Sequence, residues 1–167
     1  MKCLELFCGS KSFGKCCIDL GYDVISLDIE EQFKPTHLCN ILSFDYKQYD
    51  TDYFDIIWAS PPCTEYSKAK TRGVRDIEGA NEIVLKTIEI INYFKCKEWF
   101  IENPQTSLLK KQPFMNKFKF VDGDYCMYGL PYRKRTRIWT NKEYAEEPLK
   151  LCDKKCGSFI NNKHLDS

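Results

Sequence analysis

Two short motifs in the middle of the chain carry side chains able to do covalent and acid–base chemistry. Ser60-Pro61-Pro62-Cys63 sets a thiol behind two prolines that hold the backbone stiff, and Lys68, Lys70, Arg72 and Arg75 follow it. Nearby positive charge favours the thiolate, the nucleophilic form of cysteine. Ile101-Glu102-Asn103-Pro104 places a carboxyl where burial would raise its pKa until it could donate a proton to a ring nitrogen. Each has a plainer reading, an ordinary loop cysteine and a salt-bridged or helix-capping acid. A third motif lies near the start, where Phe7-Cys8-Gly9-Ser10 is followed by Asp28. A glycine turn that opens a helix, with an acid about 20 residues later, suits a nucleoside-bearing ligand: the backbone approaches closely and the carboxylate takes ribose hydroxyls. With one glycine the loop is neither the three-glycine dinucleotide fingerprint nor a Walker loop, and a capped turn with a surface Asp is the alternative. The fourth motif, Arg133-Lys134-Arg135-Thr136-Arg137, leads into a strand. Alternation puts Arg133, Arg135 and Arg137 on one face, suited to phosphate or a carbonyl oxygen. A charged edge strand that discourages aggregation would look the same.

Such residues need a frame. Apolar runs and helical spacing give a strand over 4–7, a helix over 13–20 closed by Gly21, a strand over 24–27 with Asp28 at its tip, and a strand over 55–59. A helix over 80–94 and a strand over 99–101 follow, and 125–128 with 138–140 form a late hairpin. Alternating strands and helices imply an α/β fold, a mostly parallel sheet with right-handed crossovers and a late antiparallel hairpin. In open α/β sheets ligands bind outside the carboxyl ends of the strands. Gly9, Asp28, Cys63 and Glu102 all fall at such ends, so one crevice gathers them.

The 167 residues are one domain's worth of chain, and 43% hydrophobic against 29% charged content can bury a core. A net charge of +1 declares no partner, so local clusters matter more than the sum. The longest apolar stretches fall short of the ~20 residues a bilayer crossing needs, so no membrane is expected. Glu5 interrupts what a signal peptide would continue as an apolar run, which implies a reducing, cytoplasmic setting and free thiols for the ten cysteines. The main domain takes 1–145. The short tail, 146–167, carries Cys152, Cys156 and His164, which could ligate zinc with a fourth ligand such as Cys126. A frayed tail with free thiols is the plainer reading, and no metal ligand is assigned from sequence.

Taken in order, Leu4-Glu5-Leu6-Phe7-Cys8-Gly9, Ser60-Pro61-Pro62-Cys63, Ile101-Glu102-Asn103-Pro104 and Arg133-Lys134-Arg135-Thr136-Arg137 resemble the cytosine-5 DNA methyltransferase family, particularly its small viral and phage members. The resemblance spans roughly residues 3–141 and implies a Rossmann-like S-adenosylmethionine-dependent methyltransferase fold. By the same resemblance Phe7, Cys8, Gly9, Ser10, Asp28, Ile29, Asn40, Ile41 and Pro61 hold S-adenosylmethionine. Asn40 stands where the family usually has Asp, and Lys11 and Ser12 where it has loop glycines. Cys63 would add to C6 of cytosine, Glu102 would hold N3 and the exocyclic amine, and Arg137 with Arg135 would bind the cytosine O2 or a phosphate. The basic segment 64–75 resembles the family's mobile loop and is expected open or disordered without substrate. A viral member would work inside the host cell. Only about thirty residues follow Arg137, which leaves no room for a family-type target-recognition domain and implies weak sequence preference, a partner subunit or a substrate needing little readout. The same motifs serve a branch that modifies RNA (tRNA), and a catalytically silent cofactor- or nucleic-acid-binding subunit is the third expectation.

Overall fold

Leu4 and Leu6 are wholly shielded from solvent, and the strand that carries them, β1 (Lys2–Leu6), runs through the middle of the sheet. The computed structural model describes residues 1–143, 149–160 and 163–164. Around β1 lie β2 (Asp23–Asp28), β3 (His37–Leu38), β4 (Ile56–Ala59), β5 (Glu98–Pro104), β6 (Phe120–Asp124) and β7 (Arg135–Thr140). The sheet has seven strands in the order β3-β2-β1-β4-β5-β7-β6. β3, β2, β1, β4 and β5 pair in parallel, and β7 is antiparallel to both β5 and β6.

The two faces of this sheet do different work, because side chains alternate along each strand and partners in register share a face. Leu4, Leu6, Ile57, Ala59, Ile101 and Trp139 belong to one apolar cluster, which also holds Ala80, Val84, Ile88 and Ile91 of α2 (Ile77–Tyr93). At roughly 1.5–3 kcal/mol per buried aliphatic side chain, this layer dominates the stability. The Asp76 side chain starts α2 by accepting from the Gly79 amide at 2.9 Å. On the other face lie Glu5, Ser26, Trp58 and Glu102, and α1 (Ser12–Asp19) packs on this side against β1 and β2. Phe13 of α1 stacks on Trp58 with ring centroids 4.4 Å apart. A Cβ at Gly14 would run into the Glu5 carboxylate, so glycine sets how closely the helix approaches.

The parallel sheet and its order of elements match the sequence reading, and three features differ. The late antiparallel hairpin is formed by β6 and β7, not by 125–128, which is a 3-10 turn (Tyr125–Tyr128). β5 runs on to Pro104, so Glu102 and Asn103 are strand residues paired with Ile138 and Arg137. The tail contributes a two-stranded hairpin, β8 (Phe159–Ile160) and β9 (Lys163–His164). Among the described residues no helix is long and apolar enough to cross a membrane.

Candidate active site

The loop after β1 is coiled tightly, with Phe7, Gly9 and Lys11 all at positive φ (59°, 46° and 58°). Asp28 at the tip of β2 organises it, since its two carboxylate oxygens accept from the Gly9 amide at 2.9 Å and the Glu30 amide at 3.0 Å. A cavity of about 280 Å³ opens beside it, lined by Phe7, Asp28, Ile29, Asn40 and Ile41 and also by Glu30, Phe33, Cys39, Pro62 and Ile83. Apolar walls with carboxylates at one side suit a nucleoside. Asn40 uses its side-chain oxygen to cap Leu42, accepting from that amide at 2.9 Å. Ile29 is 65% exposed, an aliphatic side chain left for something to cover.

A second chamber of about 510 Å³ is lined by Cys8, Gly9, Ser10, Phe13 and Trp58 on one side and by Glu102, Tyr125, Tyr132 and Lys134 on the other. Phe7 and Ser60 line both chambers, so the two adjoin there. Ser60 is held at this junction by the Trp58 indole N–H, which donates to its hydroxyl at 2.9 Å. Every residue expected to hold the cofactor therefore lines one chamber or the other, except Pro61, which is buried beside them. Glu5 also lines the second chamber, and its Oε2 is buried with no partner among the described residues. Burial pushes this carboxyl above its ordinary pKa, with the Gly14 amide and Lys11 opposing the shift. An unmet acceptor, carboxylates and apolar walls together fit S-adenosylmethionine, which offers a cation, ribose hydroxyls and a flat base.

The register of β4 on β5 sets Ala59 against Ile101, so the chain leaves β4 next to Glu102. Glu102 is 7% exposed; the Lys134 ammonium stands 3.2 Å from its carboxylate and the Thr136 hydroxyl donates to it at 3.3 Å. Burial works against the charge on Lys134, but Glu102 and Tyr125 outweigh it and hold the ammonium above its ordinary pKa. One residue on, the Asn103 amide group donates to the Pro61 carbonyl at 2.9 Å, which ties the Pro-Pro-Cys turn to β5. The Asn103 side-chain oxygen is buried with no partner among the described residues. Cys63 is half-buried two residues beyond Pro61, and it lines neither of the two chambers.

The segment after Cys63 is folded on itself, where the sequence reading has it open or disordered. Arg75 donates to the carbonyls of Glu65, Ser67 and Lys70, and Lys70 pairs with Glu65 at 2.6 Å. Tyr66 is fully buried, with its hydroxyl bonded to Asn81 at 2.7 Å. Lys70 and Arg75 are thus committed within the loop, while Lys68 and Arg72 are exposed.

The basic run is placed differently from the expectation. Arg137 is held by Asp122 at 2.8 Å, and Arg135 and Arg133 by Asp124 at 2.9 and 3.3 Å. The physical reason is strand alternation: positions 133, 135 and 137 face the β6 carboxylates, while 134 and 136 face Glu102. The structure therefore does not bring Arg135 and Arg137 to Glu102; the cation there is Lys134. Asp124 is fully buried, and although burial works the other way, the bonds from Arg135, the Cys152 amide and Arg133 hold its carboxyl at about 2. Lys134, Trp58, Tyr125 and Tyr132 were not singled out from sequence as lining residues, and only the strand period of the basic run pointed to Lys134.

A family model described as C-5 cytosine-specific DNA methylase matches residues 1–121. The chain is 31% identical over 158 residues to a probable DNA (cytosine-5)-methyltransferase of Frog virus 3 (isolate Goorha), a match that covers 86% of this chain and 72% of that one. Among solved structures, the Dnmt2 methyltransferase of S. pombe superposes with a TM-score of 0.60 at 14% identity, over 84% of this chain and 49% of that one. A putative DNA modification methyltransferase encoded within an E. coli prophage gives 0.58 at 14% identity, over 92% and 52%. The chain spans about half the length of these two structures, which share its α/β Rossmann-like fold.

Proposed function

Because the chain belongs to the C-5 cytosine-specific DNA methylase family, we propose that it methylates C5 of cytosine in DNA, using S-adenosylmethionine and a covalent bond from Cys63 to the base. The observation that carries this reading is the junction at Phe7 and Ser60, where a nucleoside-type cavity adjoins the chamber holding Glu102. The Asn103 tether keeps the Cys63 turn at that same strand end.

Cytosine C5 is a weak nucleophile, and addition of the Cys63 thiolate across C6 pushes electron density onto it. Glu102 accepts from the exocyclic amine and, in its protonated form, donates to N3, which stabilises the charge that develops on the ring. When bound, S-adenosylmethionine supplies an electrophilic methyl on a sulfonium. The C5–methyl bond would form as the sulfonium–methyl bond breaks to leave a neutral thioether, the C5 proton passes to a base or water, and the C6–sulfur bond breaks to release the thiolate. Lys134 is the cation beside Glu102 and so the one that meets the base oxygen. Arg135 and Arg137 act in this reading through β6, which they fix against β7.

The base must leave the duplex stack to be attacked this way. In this reading the loop that follows Cys63 closes over the flipped base and brings the sulfur to C6. Phosphates are met by Lys68 and Lys110. Burial and then repulsion from Arg137 and Lys68 lower the pKa of Lys110, with Asp122 opposing, so a phosphate there would favour its charged form.

Tritiated methyl transfer to duplex DNA, single-stranded DNA and transfer RNA tests the proposal, with Cys63→Ala alongside. Incorporation into DNA that vanishes in Cys63→Ala, and a covalent adduct with 5-fluorocytosine DNA, are the expected results. Incorporation into RNA alone, or an adduct that survives in Cys63→Ala, overturns it.

A further inference from the structure

Cys126, Cys152, Cys156 and His164 come from three separate stretches of chain, yet their ligand atoms all lie within 4.8 Å of one another. Cys126 sits in the 3-10 turn after β6, Cys152 and Cys156 flank a loop, and His164 is carried by β9. We propose that these four residues bind one zinc ion through three sulfurs and one nitrogen, at a site outside the methyl-transfer chambers.

The spacing is that of a tetrahedron of ligands. Bonds of about 2.3 Å to sulfur and about 2.05 Å to nitrogen place neighbouring sulfur and nitrogen ligands roughly 3.6 Å apart. The His164 Nε2 stands 3.5 Å from the Cys152 sulfur and 3.4 Å from the Cys156 sulfur. Three thiols and an imidazole are soft and borderline donors that select zinc over the hard, oxygen-seeking cations. The three cysteines are unlinked, although they crowd one point.

The surroundings are built for a charged sulfur cluster. The Lys154 amide donates to the Cys152 sulfur at 3.3 Å, from a loop turned by left-handed residues at Lys154 (φ 71°) and Gly157 (φ 78°). The Cys152 amide is itself fixed by Asp124 at 2.8 Å. Cys126 and His164 are buried, and Phe159 packs its ring 5.2 Å from the imidazole. Cys152 and Cys156 are half-exposed, which leaves the ion a way in.

Zinc here displaces the thiol protons and ties the tail to the end of β6. It fastens Tyr125, the neighbour of Cys126 and a wall of the Glu102 chamber. The site stands on its own geometry and does not depend on what the chambers catalyse.

The test is the metal content of the purified full chain, kept reduced, by elemental analysis and native mass spectrometry. One zinc per chain is expected, surviving dialysis, lost in Cys156→Ser and His164→Ala, and kept in His164→Cys and in Cys96→Ser. Cobalt chloride added to stripped protein should give the intense visible bands of a tetrahedral site with thiolate charge transfer, and zinc chloride should raise its melting temperature. Should the variants not fold, the cobalt spectrum and the zinc-dependent melting shift of the wild-type chain still decide. A folded chain with no zinc and an octahedral, weakly absorbing cobalt spectrum overturns the proposal, as does full zinc retention in folded Cys156→Ser and His164→Ala.

Discussion

Replacing Asn103 by alanine separates positioning from folding at the reactive turn. The substitution deletes the 2.9 Å bond to the Pro61 carbonyl, a bond between two buried groups. An acceptor left unpaired there costs about 1–3 kcal/mol. The same substitution removes the Asn103 oxygen, which is already unpaired and so returns part of that cost. The net loss of stability should be about 1 kcal/mol. The kinetic effect is larger, because the tether sets where the turn carrying Cys63 begins. A displacement of about 1 Å at a reacting group costs about 100-fold in rate, or about 2.7 kcal/mol of barrier. Asn103 lines neither chamber, so S-adenosylmethionine should bind as in the wild type. Single-turnover methyl transfer and trapping on 5-fluorocytosine DNA, at a temperature where both proteins are folded, read the first effect, and calorimetric titration reads the second. Adduct formation at the wild-type rate in a variant that is measurably less stable would show that the bond only holds the fold together.

Two further outcomes follow from charged groups. Burial holds the Glu5 carboxyl above its ordinary pKa, so the folded chain binds more protons than the unfolded chain between the unfolded value, about 4.3, and the raised folded one. Its contribution is therefore present in acid and is lost as pH rises through the folded pKa. Urea unfolding across that window should show Glu5→Gln gaining on the wild type as pH increases; curves that stay parallel would count against the assignment. Lys68→Ala and Lys110→Ala should each weaken DNA binding and lower the slope of log affinity against log salt by roughly one. Unchanged slopes would remove these lysines from the phosphate contacts.

The frame of the fold was legible because its strands are short apolar runs ended by glycine or proline, and Leu4, Ile57 and Ile101 could hardly be placed anywhere but in a core. The glycine loop and Asp28 were legible for a similar reason: their link is local, a backbone amide and a carboxylate at adjacent strand ends. The alternation of the basic run was legible, and the carboxylates that take its arginines were not. Asp122 and Asp124, which bind its arginines, sit in a segment with weak strand signals and a glycine between them, so nothing local showed that β6 would lie beside β7. Glu102 looked like the end of β5 because Pro104 follows it, yet β7 pairs antiparallel through that point and tolerates the proline. The tail offered no period to read, and its order comes from pairings to distant residues such as Asp124 with Cys152.

Asp124 explains why the chamber, the β6–β7 pair and the tail belong to one structure. Its carboxylate takes Arg135 from β7, Arg133 from the stretch before it and the Cys152 amide from the tail, and its own amide donates to the Lys150 carbonyl at 3.0 Å. A fully buried acid is tolerated only when such partners are all in place, and removing one leaves an uncompensated charge. Thr136 of the same strand and Lys134 just before it are thereby aimed at Glu102. The basic run thus gives Arg133, Arg135 and Arg137 to architecture and turns Lys134 and Thr136 to the Glu102 carboxylate. That division follows from the period of two, since the odd side chains, once bound to β6, leave the even ones no face but the one that Glu102 shares.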